Sequence, residues 1–463
     1  MSKGLLCKFW EKSKLNKESH QAKVDKINGV SPCFCLAKWT QVTLDLLHGT
    51  NHSCHHPKRH IIDEAAIEKD PWALHNTAFK KEVREQMLNG IRPKECGYCW
   101  NIEDTPGEHH SDRIVKSLDP WSYPFLDDVL ACGSKGNYAP QYLEVMFDNA
   151  CNFACSYCLA DISSSIKKEM QDFGRYPIQR YHHRMEDPEW KRSFKAKDNP
   201  FVTAFWKWLP EIWEKLLVFR ITGGEPLLSK HTYKVLDYCL AHPQKNLELA
   251  VNSNLGVDRE RIERFLGLIE EVKAKDAIKS FGLYVSVDSV GAQAEYIRQG
   301  LNYDFFIHNL QVFLESKACK KVTLMVTFSV LSLPKIHELV KEVEKLKKTY
   351  PHLVLDMSYL REPEYLRANI AGEEYSTSIV KALEVMDKSD VFSDFEKNKC
   401  RRIYHWLKEP IEEQEKASLR ADFFSFVNEY DRRYGKNFLK TFPELKNFYI
   451  ECKKARFLSG QAP

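Results

Sequence analysis

Cys151, Cys155 and Cys158 stand on one short stretch, Cys-Asn-Phe-Ala-Cys-Ser-Tyr-Cys. Three thiolates on one loop can hold three irons of a cubane iron–sulfur cluster, leaving the fourth iron open to a substrate or cofactor. A structural zinc site normally closes all four positions. The alternative is a zinc knuckle completed by a remote His. The loop directly follows a β-rich run at 143–148, and in parallel βα architectures functional groups gather at that end of a strand.

A second set precedes it. Cys35 is followed by Gly49 and Cys54 in the spacing C-x13-G-x4-C, and Cys96-Gly-Tyr-Cys99 comes later. Four thiolates in two pairs make a closed tetrahedral set, and spacing does not separate zinc from a 4Fe–4S cluster. His48, His52, His55 and His56 crowd Cys54, so a Cys/His zinc site is the main rival. His109, His110, His182 and His183 read as solvated or locally hydrogen-bonded. Cys7, Cys33, Cys132, Cys239, Cys319, Cys400 and Cys452 are scattered and read as small buried hydrophobes. Fourteen cysteines grouped this way are a metal-ligand pattern rather than a disulfide framework.

Three further runs end in polar or glycine-rich motifs. They are Thr222-Gly223-Gly224-Glu225-Pro226, Asn252-Ser253-Asn254-Leu255-Gly256 and Ser286-Val287-Asp288-Ser289, the last with Ile297-Arg298 beyond it. Paired glycines let a backbone approach a ligand closely, and a carboxylate beside them can pair with an ammonium group. Singly each motif is ordinary: Gly and Pro punctuate turns, and Asp288 suits a helix N-cap. Together, in this order after C-x3-C-x2-C, they resemble the radical S-adenosylmethionine (SAM) enzymes. The resemblance implies that Cys151, Cys155 and Cys158 hold a 4Fe–4S cluster whose open iron chelates SAM. It implies that Tyr157 packs near the adenine and that Gly223, Gly224, Glu225 and Pro226 bind the methionyl ammonium. Ser253 and Asn254 would lie near the ribose, Ser286 and Asp288 would meet its hydroxyls, and Arg298 would meet the SAM carboxylate. Two departures stand out. Ser253-Asn254 is not the commonest turn there, and Ser289 replaces a glycine. Thr327 and Ser329 match the adenine wall loosely.

The C-x13-G-x4-C and later C-x2-C pattern resembles the auxiliary-cluster modules SPASM and twitch. The further cysteines of SPASM are missing, so the shorter twitch form fits better. In most relatives the module follows the barrel, whereas here it precedes it. The resemblance implies a second 4Fe–4S cluster, with zinc as the alternative.

Elements must hold these groups. The chain has 463 residues, 43% hydrophobic and 29% charged, with a net charge of +4. It can bury a real core, and its charge balance gives no whole-chain case for a polyanion partner. No apolar run reaches the roughly 18 residues that span a bilayer, and residues 1–14 do not read as a signal peptide. A cytoplasmic protein without a membrane partner is expected. β-rich runs at 143–148, 218–222, 247–253, 282–288, 322–330 and 353–359 alternate with amphipathic stretches at 202–217, 232–241, 259–274, 303–315 and 334–348. Six strands in such alternation predict an α/β fold, a partial (β/α)6 TIM-like barrel. A polar, charged stretch at 175–199 interrupts the first crossover. The expected domains are a flexible basic arm (1–31), a twitch-like module (32–118) with a first clear helix at 77–89, a linker (119–140), the barrel (141–362) and a helical C-terminal extension (363–463).

The activity implied is reductive cleavage of SAM to a 5′-deoxyadenosyl radical that abstracts hydrogen from a peptide or protein side chain. An electron donor such as flavodoxin or ferredoxin would supply the electron. The alternatives are modification of a nucleotide or RNA, and a non-catalytic metal-bound scaffold. Basic residues interleaved with aromatics near 423–457 suit nucleic acid. Helices packed with aromatics inward and Lys outward suit the same pattern better.

Overall fold

The computed structural model describes residues 18–107, 110–180 and 199–458. They form two compact units. One takes residues 18–45, 49–107, 110–144 and 199–218, and the other takes 46–48, 145–180 and 219–458.

In the first unit, β1 (Gln41–Asp45) and β2 (Thr50–His52) make an antiparallel hairpin, and β3 (His60–Ile61) pairs antiparallel with β2. Every residue of β1 and β2 is buried, so no polar–apolar alternation announces them. Gly49 has φ +64, and a Cβ there would overlap the Phe201 ring. The helix Ala78–Leu88 starts where Thr77 accepts from Lys80 N, as its sequence predicts.

Two expectations are corrected here. Of the presumed arm, residues 1–17 lie outside the described residues, but His20–Val30 is a helix capped by Ser19. Its Val24 and Ile27, one turn apart, join Phe34, Leu36 and Trp39 in a core cluster. Leu126 and Val129, on helix Leu126–Cys132 of the presumed linker, enter the same cluster. Sparse apolar residues at helical spacing hid both segments. The domain boundaries also fall elsewhere. Helix Pro200–Ile212, expected in the barrel, belongs to the first unit, where Trp72 Nε1 donates to Glu211 at 2.6 Å. Residues 181–198 of the polar stretch, with His182 and His183, lie outside the described residues, as does His109.

The six expected strands are β4 (Tyr142–Met146), β6 (Val218–Thr222), β7 (Gln244–Ser253), β8 (Ile278–Ser286), β10 (Cys319–Phe328) and β11 (Leu353–Tyr359). They lie side by side in that order, with β7–β8, β8–β10 and β10–β11 parallel. Helices Lys230–Ala241, Arg259–Ala274, Tyr303–Glu315 and Ile336–Thr349 make the crossovers from β6 onward. Ser286, Met325 and Asp356 share one register row, and Thr327 stands opposite Ser358. The outer edge of β11 is occupied by side chains. Glu396 accepts from Leu355 N and Lys347 donates to Leu353 O, each at 2.8 Å, and the two side chains are themselves paired.

Beyond Tyr359 the described residues form helices and turns. Helix Glu413–Tyr434 packs on helix Lys446–Leu458, with Phe423, Phe426, Tyr430, Phe438 and Phe448 buried. Tyr430 donates to Tyr296 O at 2.9 Å and Tyr296 donates to Asp431 at 2.8 Å, so this extension braces helix Gly291–Ile297.

Candidate active site and a second thiol cluster

The triple-cysteine loop is stitched on three sides. Its first residue is held by serines at the start of helix Ser164–Phe173: Cys151 N donates to Ser164 Oγ at 3.0 Å, and Ser165 donates to Cys151 O at 2.6 Å. Its middle, Ala154–Cys155, is a short strand, β5, paired antiparallel with β9 (Arg298–Gln299), which sets Cys155 directly opposite Arg298. Its entry meets the Gly-Gly-Glu segment, where Glu225 N donates to Ala150 O at 2.7 Å.

The paired glycines also serve a close approach within the chain itself. A Cβ on Gly224 would overlap Ala150 O and lie 2.7 Å from Asn149 C and O. One on Gly223, at φ +123, would lie 2.8 Å from Asp148 O. The backbone they admit is that of the cysteine loop itself.

Glu225 is buried, and its carboxylate accepts from Asn254 N at 2.6 Å, Ser253 Oγ at 2.8 Å and Leu227 N at 3.0 Å. Burial pushes it up to about 7 although these donors pull it down. It ties the ends of β6 and β7 together. Asp288 is fully buried as well. It accepts from Tyr157 Oη and Thr327 N, each at 2.8 Å, and from Arg298 Nη2 at 3.2 Å. Neither carboxylate lines the cavity beside the cysteines, so the expected contacts to ammonium and ribose do not begin from an open carboxylate.

That cavity is lined by Cys151, Cys155, Cys158, Tyr157, Gly223, Gly224, Ser253, Asn254, Ser286 and Arg298 among the expected residues; Pro226 does not line it. Thr327, loosely matched to the adenine wall, also lines it and Ser329 does not; the structure adds Phe153, Ile162, Thr222 and Asn252. Thr222 and Asn252 sit inside motifs already marked, so strand-end position is the signal that finds them. Phe153 carries no such signal: its ring fills the space that a Cβ on Gly256 would need. Among the described residues, no other residue that lines it is a Cys or His. Burial pushes Cys155 up to about 12, against the opposing charge of Arg298, and raises Cys151 and Cys158. A metal group that binds must displace those protons. Three thiols beside one open cavity are the donor set that a cluster with one free iron would take.

In the first unit, Cys35, Cys54, Cys96 and Cys99 line one cavity with Lys38, His56, Asp112 and Arg113. His48, His52 and His55 do not line it. His56 does, but its Nε2 is 2.7 Å from Asp112 and its ring stacks on Tyr98 at 3.6 Å. Cys33 packs nearby and is not a lining residue. Lys38 pairs with Glu95, which also meets His60 Nε2 at 2.6 Å. Burial raises Glu95, but His60 and Lys38 together outweigh it and hold the carboxyl down at about 2. Lys80 and Arg84 are buried in the same unit on His75 and Asn76. Among the described residues, no group of three or more His, Cys, Asp or Glu is arranged to hold a metal ion. Nor is any helix among them long and apolar enough to cross a membrane.

No family model matches this chain, and no curated protein does. Solved structures are similar to it, among them two of one protein. One is Streptococcus suis SuiB bound to S-adenosylmethionine, at 14% identity over 77% of this chain and 71% of that one, with a TM-score of 0.33. The other is S. suis SuiB bound to precursor peptide SuiA, at 14% identity over 89% and 75%, with a TM-score of 0.29. Likeness this slight bears on neither the fold nor the function of this chain.

Proposed function

We propose that this chain is a radical SAM enzyme. The single observation that carries the reading is the cavity in which Cys151, Cys155 and Cys158 meet the C-terminal ends of β6, β7, β8 and β10. In this reading Cys151, Cys155 and Cys158 hold a 4Fe–4S cluster, and SAM lies against Gly223, Asn252, Ser253, Ser286 and Thr327. When bound, the cluster supplies the electron that cleaves SAM reductively, and the 5′-deoxyadenosyl radical so formed takes hydrogen from the substrate. The chain's own residues do the rest. Ser164 and Ser165 at the start of helix Ser164–Phe173 and the β5–β9 ladder fix the thiols, Glu225 and Asp288 clamp the strand ends, and the buried walls restrict water.

The second thiol set is proposed to hold an auxiliary 4Fe–4S cluster. Four thiols in one cavity, where the lining His56 is engaged by Asp112 and Tyr98, support this over a Cys/His zinc site. The proposed substrate is a peptide or protein side chain, on the resemblance of this module to the twitch type. Buried aromatics in the C-terminal helices, with Arg420 paired to Glu451 and Arg433 to Glu169, give no support to a nucleic-acid groove there.

Anaerobic reconstitution tests both parts. It is expected to give a brown protein with about seven to eight irons per chain. Dithionite and SAM are then expected to release 5′-deoxyadenosine. A protein that takes up iron yet releases none is a scaffold, and one that takes up only zinc overturns the reading.

A further inference from the structure

Arg298 was expected to reach SAM's carboxylate, but most of its guanidinium is already engaged. Its Nε lies 2.9 Å from Asp288 Oδ2 and its Nη2 lies 3.2 Å from Asp288 Oδ1, with Tyr157 Oη also within bonding reach of Nη2. The carboxylate that pairs with the guanidinium is itself 0% exposed, and Nη2 donates to it while Nε lies close without a bond. Nη1 points the other way, at Cys155 Sγ, 3.7 Å away. The backbone enforces this aim. Cys155 and Arg298 are register partners across the β5–β9 ladder, and Ser156 N donates to Ile297 O at 2.8 Å just beyond.

We propose that Arg298, locked by Asp288, is a positioning residue that holds the Cys155 thiolate and sets the reduction potential of the group that thiolate ligates. The proposal rests on the radical SAM reading and goes beyond it. A buried cation donating to a ligand sulfur stabilises the more negative, reduced state and raises the potential. Asp288 works in the opposite sense, because its charge partly cancels that of Arg298. The two partners must therefore shift the potential in opposite directions when each is neutralised. A merely structural role for the pair would move both variants the same way.

The test is an EPR-monitored redox titration of reconstituted protein without SAM, in a Cys99→Ala background so that only the first site reports. Arg298→Gln is expected to lower the midpoint, Asp288→Asn to raise it, and Arg298→Lys to recover part of the wild-type value. If Arg298→Gln fails to take up iron while Arg298→Lys takes it up, the positioning half stands, and Asp288→Asn still reports the sign. Unchanged midpoints in Arg298→Gln and Asp288→Asn, or shifts of the same sign, overturn the proposal. If the Cys99→Ala parent itself takes up no iron, the radical SAM reading has failed instead, and the two failures are told apart.

Discussion

Replacing Gly224 by Ala puts a methyl group where the entry to the cysteine loop runs. Its nearest neighbours are backbone atoms, Ala150 O and Asn149 C and O, which cannot rotate away. Bringing Asn149 from 2.7 Å out to the 3.4 Å of ordinary contact moves that backbone by about 0.7 Å, and Ala150 must move further. Such crowding costs about 1–3 kcal/mol. The Glu225 N to Ala150 O bond must stretch to relieve it, which adds about 1 kcal/mol. The expected loss is about 2–4 kcal/mol, read as a fall in the urea midpoint of the metal-free protein. If the loop moves instead of the fold, a shift of this size lowers SAM cleavage by about 100-fold. Gly267 is the control, because it is exposed on helix Arg259–Ala274 with nothing within 4 Å of a Cβ. Ala there is expected to stabilise by about 0.5–1 kcal/mol. A Gly224→Ala protein within about 0.5 kcal/mol of wild type, with unchanged iron and cleavage, refutes the account of why glycine stands there.

Glu225 predicts a pH dependence. Its folded value of about 7 lies above the ordinary 4.5, so between those pH values the folded protein keeps a proton that the unfolded chain releases. Its contribution is whole below pH 4.5 and is lost as pH rises through 7, by about 3 kcal/mol. Urea midpoints for Glu225→Gln are expected to lack that slope, and parallel profiles would refute it. Cys155→Ala is expected to lose about four irons and all SAM cleavage, whereas Cys99→Ala loses the second set of irons only. Iron assays on both variants check the ligand sets, and unchanged metal in either removes that cysteine from its set. Lys38→Met leaves Glu95, 11% exposed, with His60 as its remaining partner and is expected to cost about 1–3 kcal/mol. Much of that returns in Lys38→Met/Glu95→Gln, and a double variant no more stable than the single contradicts the pairing.

Much of the second unit was legible in the sequence. The strands at 218–222 and 353–359 and the helices at 259–274 and 303–315 match their observed bounds, because apolar periodicity there follows burial on one face. The hairpin of β1 and β2 was not legible, since Gln41, Thr43 and Asn51 are as buried as Val42 and Leu44. The same limit applies at the site. Spacing picked out Glu225, Asp288 and Arg298, but which group each carboxylate would bind depends on contacts between distant segments. Asp288 found Tyr157 and Arg298, and Glu225 found Asn254. The brace from Tyr430 to Tyr296 is likewise invisible before folding, because nothing in residues 423–434 marks them as support for Arg298.

An extended chain seeking to lengthen a sheet needs a row of vacant amides and carbonyls along its border. Lys347 and Glu396 have taken a donor and an acceptor of that row beside β11. At those two positions a further strand is denied backbone-to-backbone addition, so this margin is a poor template for lengthening the sheet.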